Sequence, residues 1–109
     1  MTQARAEAPR NLGICVTTPG CTHHLLGLAS AAVRAGISVE VFLTGDGVHV
    51  IRDRRFGELV NAARVSVCDA SFRKAGLSAA DVDGLTDTDF VTQWRNAEMV
   101  QRCDRYLVL

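Results

Sequence analysis

The side chains of this 109-residue chain best suited to nucleophilic or metal chemistry are Cys15, Cys21, Cys68 and Cys103 together with His23, His24 and His49. Cys68 closes the apolar run ARVSVC (Ala63 to Cys68) and is followed at once by DASFRKAGL, which reads as a short helix with Asp69 as its N-cap and Gly76 as its stop. A thiol at the end of a strand, facing a helix N-terminus and with Arg73 and Lys74 about one turn on, has three features that favour the thiolate. The same residue also fits a small apolar side chain that caps a strand, since free cysteines are commonly buried. The residues alone leave both readings open.

Cys21, His23 and His24 form a second cluster, in the loop after the first apolar run and at the start of the helix that follows. Cys21 is a candidate second thiol that resolves or relays chemistry begun at Cys68, with a histidine as its base. Paired redox chemistry between Cys21 and Cys68 would require their Cα atoms to come within about 7 Å. Cys-x-His-His is a poor ligand set, and neither Cys15 nor His49 stands at a spacing that completes four-coordinate zinc, so no metal is expected. Cys15 lies inside an apolar run and Cys103 follows Val100 on a packed helical face, so both are expected to be unreactive core residues.

These residues need a scaffold, and the apolar patterning supplies one. LGICVTT (Leu12 to Thr18), SVEVFLT (Ser38 to Thr44) and ARVSVC are short apolar runs of the kind found in strands buried on both faces, and RYLVL closes the chain as another. Between them, Thr22 to Ala35 carries Leu25, Leu28, Ala29, Ala32 and Val33 at helical spacing and stops at Gly36. Gly27 within it costs about 1 kcal/mol relative to alanine, which points to close packing against the sheet. A helix is expected around Phe56 to Ala63, and SAADV should add a further helical turn. Gly84 and Leu85 are placed on or near a short fourth strand. A last helix is expected to be capped by Thr86 to Asp89, with Phe90, Val91, Trp94, Ala97 and Val100 as its buried stripe.

Strand and helix therefore alternate about five times, which predicts a three-layer α/β/α fold with a mostly parallel sheet and right-handed crossovers. Ligands of such sheets collect outside the carboxyl ends of the strands. That rule confines the candidate site to Thr18–Thr22, Gly45-Asp46-Gly47 and Cys68–Ser71. Gly45-Asp46-Gly47 lacks the spacing of a dinucleotide or Walker fingerprint and reads as a turn whose amides could approach an anion. Arg52, Arg54 and Arg55 read as a solvated basic run.

Three segments carry a family resemblance: AAVRAGISVEVFL, the turn TGDGV (Thr44 to Val48), and VSVCDASFRKAGL (Val65 to Leu77), in which a cysteine ends the third strand. In these features, and over the greater part of its length, the chain resembles the DsrE/DsrF sulfur-transfer family. The resemblance implies a five-stranded parallel sheet, assembly into trimers or hexamers alone or with related subunits, and a sulfur-relay function. It matches Cys68 to the cysteine that, in active members, accepts sulfane sulfur as a persulfide and passes it to a partner protein's thiol. Gly45, Asp46, Gly47, Ser71, Arg73, His23 and His24 are the candidate binding residues around Cys68 and Cys21, and no cofactor is implied. The competing expectation is a non-catalytic subunit or small-anion or partner-binding module in which Cys68 is structural.

Composition narrows the alternatives. Twelve basic and twelve acidic residues cancel, which removes the long-range field that draws nucleic acid or anionic membranes. No apolar run is long enough to span a membrane, and MTQARAEAPR lacks the apolar stretch of a secretory signal, so the cytosol, where thiols stay reduced, is the expected compartment. Residues 1–10 read as a flexible tail and 11–109 as one domain. With 48% apolar residues and a mean hydropathy of +0.11, apolar surface should remain after the core is filled, which favours an oligomer.

Overall fold

The computed structural model describes residues 10–78 and 82–109. The expected tail, save Arg10, and the middle of SAADV lie outside the described residues. Five strands, β1 (Asn11–Val16), β2 (Ser38–Leu43), β3 (Arg64–Cys68), β4 (Phe90–Val91) and β5 (Arg105–Val108), form one sheet in the order β4-β3-β2-β1-β5. Every neighbouring pair is parallel. Among the described residues four α-helices connect them: α1 (Thr22–Arg34), α2 (Phe56–Ala62), α3 (Asp69–Lys74) and α4 (Gln93–Arg102). The result is the three-layer α/β/α fold expected from the alternating pattern.

The strand order explains the layers. From β1 to β4 the chain steps steadily toward one edge, and right-handed crossovers then place α1, α2 and α3 on one face. The last step returns past β1 to β5, so the same handedness puts α4 on the other face. Side chains alternate accordingly. Ile14, Val16, Val39, Val41, Leu43, Val65 and Val67 join Leu25 and Ala29 of α1, Leu59 of α2 and Phe72 of α3 in the main core. Cys15, Phe42, Cys68 and Met99 form a smaller cluster on the α4 side.

That second face departs from the sequence expectation. Phe90 and Val91 are strand rather than helix, and β4 pairs Val67 with Phe90 and Cys68 with Val91. Gly84 sits in a left-handed turn (φ +91°), which takes Gly84 and Leu85 out of the fourth strand. Thr86 and Asp89 form a capping box around a short 3-10 turn, and it is Thr92 that caps α4, its hydroxyl accepting from the Trp94 N–H at 3.3 Å. Trp94 is 71% exposed and Val100 is exposed as well, while Met99, 1% exposed, is the buried centre of the helix. The reason is what the sheet offers α4: Ser66, Glu40 and Tyr106 meet Arg95 (3.4 Å), Arg102 (2.6 Å) and Asn96 (3.1 Å), so the inner face of the helix is largely polar.

Two glycines set close approaches, and one does not. A Cβ on Gly13 would lie 2.9 Å from Met99 Cγ, so the missing side chain lets α4 sit down on β1. A Cβ on Gly47 would lie 2.6 Å from the Val16 carbonyl carbon, so Gly47 lets the segment after β2 cross the end of β1. Gly27, in contrast, is exposed, and nothing lies within 4 Å of where its Cβ would be, which overturns the expected packing role. Cys103 is half-buried against Gly13 rather than a core residue.

Candidate functional site

Parallel pairing brings the carboxyl ends of β2, β3 and β4 together. Leu43 pairs with Val67 and Cys68 with Val91, so Thr44, Cys68 and the start of α4 converge although they are distant in sequence. Cys68 itself is 5% exposed and points to the α4 side with Phe42 and Met99. The chain turns directly from β3 into α3, with Asp69 as the first helical residue, where it binds Arg73 at 2.9 Å, rather than as the expected N-cap. This tight junction aims the Ser71 N–H and hydroxyl back at the sulfur.

A polar array surrounds the thiol. The Gly45 N–H donates to Ser71 Oγ at 2.9 Å, and the Gln93 side-chain amide donates to Thr44 Oγ1 at 2.8 Å. The two hydroxyl oxygens stand 3.5 Å apart. Gly45 takes a left-handed conformation (φ +56°), which turns the chain directly after the N–H that enters the array and supports a glycine at this position. Burial pushes the Cys68 thiol up, but hydrogen bonds from the Ser71 hydroxyl and N–H, the Thr44 hydroxyl and the Gln93 amide outweigh it and leave the thiol below its ordinary range. Cys15 behaves oppositely: burial raises it, and the Tyr106 hydroxyl only partly offsets that.

Beside Ser71 lies a cleft of about 340 Å³, lined by Gly45, Asp46, His49, Ser71, Lys74 and Ala75. Of the expected binding residues, the structure gathers Gly45, Asp46 and Ser71 here. Gly47 is buried behind them against β1. Arg73 points away, its side chain 79% exposed and paired with Asp69, so hydrogen bonds rather than the expected cations favour the thiolate. Lys74 and His49 instead face the cleft.

Cys21 lies elsewhere. Its thiol donates to the Thr18 carbonyl at 3.3 Å and packs into the main core under α1, whereas Cys68 belongs to the cluster under α4. His23 and His24 are exposed and meet edge to face at 5.8 Å. All four cysteines are free thiols, and among the described residues no group of three or more His, Cys, Asp or Glu side chains is placed to hold a metal.

Thr44 and Gln93 are the residues that sequence reasoning missed. Thr44 carried a signal, since it directly follows β2 and precedes Gly45-Asp46-Gly47. Gln93 carried none: it reaches the site only because Val91, two residues earlier, pairs beside Cys68.

A parallel α/β sheet with a hydrogen-bonded thiol at a strand's carboxyl end defines a class of small thiol proteins. Within it the assignment is specific: the DsrE/DsrF-like family matches residues 11–109, and the chain belongs to that family. A search of curated proteins finds no match. Among the described residues no helix is long and apolar enough to cross a membrane.

Proposed function

We propose that the protein is a sulfur carrier that holds sulfane sulfur as a persulfide on Cys68 and passes it to a thiol of a partner protein. The observation that carries this reading is the convergence of Ser71, Thr44 and Gln93 donors on a strand-end thiol in a DsrE/DsrF-like chain. The Cys68 thiolate attacks the outer sulfur of a donor R–S–SH. A new S–S bond forms at Cys68 Sγ, the donor's S–S bond breaks, and R–S⁻ leaves with the electron pair and takes up a proton. The acceptor thiolate repeats the exchange on the Cys68 persulfide, so no net oxidant and no metal or organic cofactor is required. A persulfide also adds about 2 Å of reach, which carries the transferable sulfur outward from a nearly buried Sγ.

Cys21 is a secondary candidate thiol in this scheme, although its burial in a different cluster argues for a structural role. Exposed Trp94, Val100 and Val108, on α4 and β5, are the apolar surface we assign to assembly with copies of the chain or related subunits, in trimers or hexamers. The competing reading, a non-catalytic subunit with a structural Cys68, draws on the packing of that residue against Phe42 and Met99.

Peptide-mapped mass spectrometry after exposure to glutathione persulfide separates the two. A carrier gains 32 Da sulfur on Cys68, about one atom per chain, and Cys68→Ser abolishes both the gain and transfer to an acceptor protein. No adduct on Cys68, or unchanged transfer by Cys68→Ser, selects the non-catalytic subunit.

A further inference from the structure

The array around Cys68 has a direction that its hydrogen bonds determine. A hydroxyl offers one proton and two lone pairs. Ser71 Oγ already accepts from the Gly45 N–H at 2.9 Å, and Thr44 Oγ1 already accepts from the Gln93 amide at 2.8 Å. Each hydroxyl is thus occupied as an acceptor and retains its own proton to give. With 3.5 Å between the two oxygens, at most one proton is shared between them, and the other is free to point to Cys68, which both hydroxyls face.

We propose that Gln93, besides its own donation toward Cys68, is a positioning residue that acts on Thr44, holding the Thr44 hydroxyl as a donor toward Cys68 so that the array receives a sulfur anion. This rests on the carrier reading and adds to it the residue that orients the site. Gln93 is held where it is by several contacts. Val91 is fixed beside Cys68 by strand pairing, Thr92 caps α4, and Gly13 lets Met99 seat the helix on the sheet. The first residue of α4 then faces the strand ends, and its amide bridges to the end of β2. A side chain that only received a proton from Thr44 would turn that hydroxyl away from the sulfur. Donation by Gln93 does the reverse.

The test measures the rate of Cys68 alkylation by iodoacetamide against pH, peptide by peptide, in the full-length reduced protein. Gln93→Ala is expected to move the Cys68 midpoint upward and slow its alkylation at pH 7 by about tenfold or more, the scale of one hydrogen bond to an anion. Thr44→Val should do the same, Thr44→Ser should keep the original profile, and Gln93→Ala combined with Thr44→Val should lose no more than the larger single change. Cys15, in the same cluster, reports folding: its slow alkylation should be the same in every variant. An unmoved midpoint in Gln93→Ala, or fully additive losses in the double variant, overturns the proposal. Failure of the carrier reading looks different, because the midpoints would shift as expected while the unsubstituted protein takes up no sulfur.

Discussion

The same one-methyl change at two glycines should have opposite signs, and the one at Gly47 should disturb the site. An ideal Cβ on Gly47 falls 2.6 Å from the Val16 carbonyl carbon and 3.0 Å from the Thr17 nitrogen, both backbone atoms. Carbon atoms rest at about 3.5–4.0 Å, so the two segments must move apart by about 1 Å. They resist, because the Gly47 N–H donates to the Thr44 carbonyl at 2.9 Å and the Thr44 N–H donates to the Val16 carbonyl at 3.0 Å. Overpacking against backbone belongs at the upper end of its range, about 3 kcal/mol. At about 4–8 °C per kcal/mol for a domain near this size, Gly47→Ala should lower Tm by about 12–24 °C. Gly27→Ala meets nothing and gains helix propensity, about 1 kcal/mol, so its Tm should rise by about 4–8 °C. Thermal unfolding at fixed protein concentration reads both, and alkylation kinetics should show Cys68 slowed in Gly47→Ala, because Thr44 and Gly45 move with the displaced segment. A Gly47→Ala protein as stable as the original would refute the close-approach argument. A destabilised Gly27→Ala would refute the open-space argument at that position.

Three further outcomes follow from the thiols and the exposed surface. Cys68, held low by its donors, should alkylate from below the ordinary thiol range, while buried Cys15, held high, should react only above it or on unfolding; peptide-resolved alkylation against pH checks both. The linkage signs differ in the same way: the lowered Cys68 adds stability above its unfolded pKa and loses it as pH falls through the folded one, and the raised Cys15 subtracts stability as pH rises past its unfolded value. Light scattering at micromolar concentration should show an oligomer, and Trp94→Glu or Val108→Glu should dissociate it; a monomeric original chain would remove the assembly reading.

The sequence made the layer architecture legible because it depends on local signals. Apolar runs such as SVEVFLT mark strands buried on both faces, and Gly36, at φ +77°, marks the end of α1. What failed was the region where tertiary context overrides local pattern. Phe90, Val91 and Trp94 share a helical spacing, yet the first two extend the sheet at its edge and the third is left in solvent, because α4 meets Ser66, Glu40 and Tyr106 rather than an apolar layer. Gly27 looked like a packing device, and only the position of the helix on the sheet could show its Cβ facing open space. At the candidate site the thiol itself was readable from its place at a strand end, and the Ser71 amide was foreseen as a helix N-terminus. The cationic contribution was misassigned, since Arg73 sits one turn along a helix whose own Asp69 engages it.

The missed pair, Thr44 and Gln93, shows why such a site must be read in three dimensions. In a parallel sheet, residues at neighbouring strand ends are separated in sequence by a whole crossover, so the groups that converge on one sulfur are drawn from segments with no local signal in common. Here the donors come from the end of β2, the first turn of α3 and the first turn of α4, and each is held by a different device: a backbone bond from Thr44 to β1, a strand that runs straight into a helix, and a capped helix seated on a glycine. None of the three devices is itself a chemical group. They shift an ordinary buried cysteine, which desolvation alone would keep neutral, toward its anion. Cys15 provides the internal comparison: it lies in the same cluster and is likewise buried, it faces a single hydroxyl from Tyr106, and its thiol is held up rather than down. The two cysteines differ in the donors directed at the sulfur, which the strand ends supply to Cys68, and in desolvation, which weighs more on Cys15.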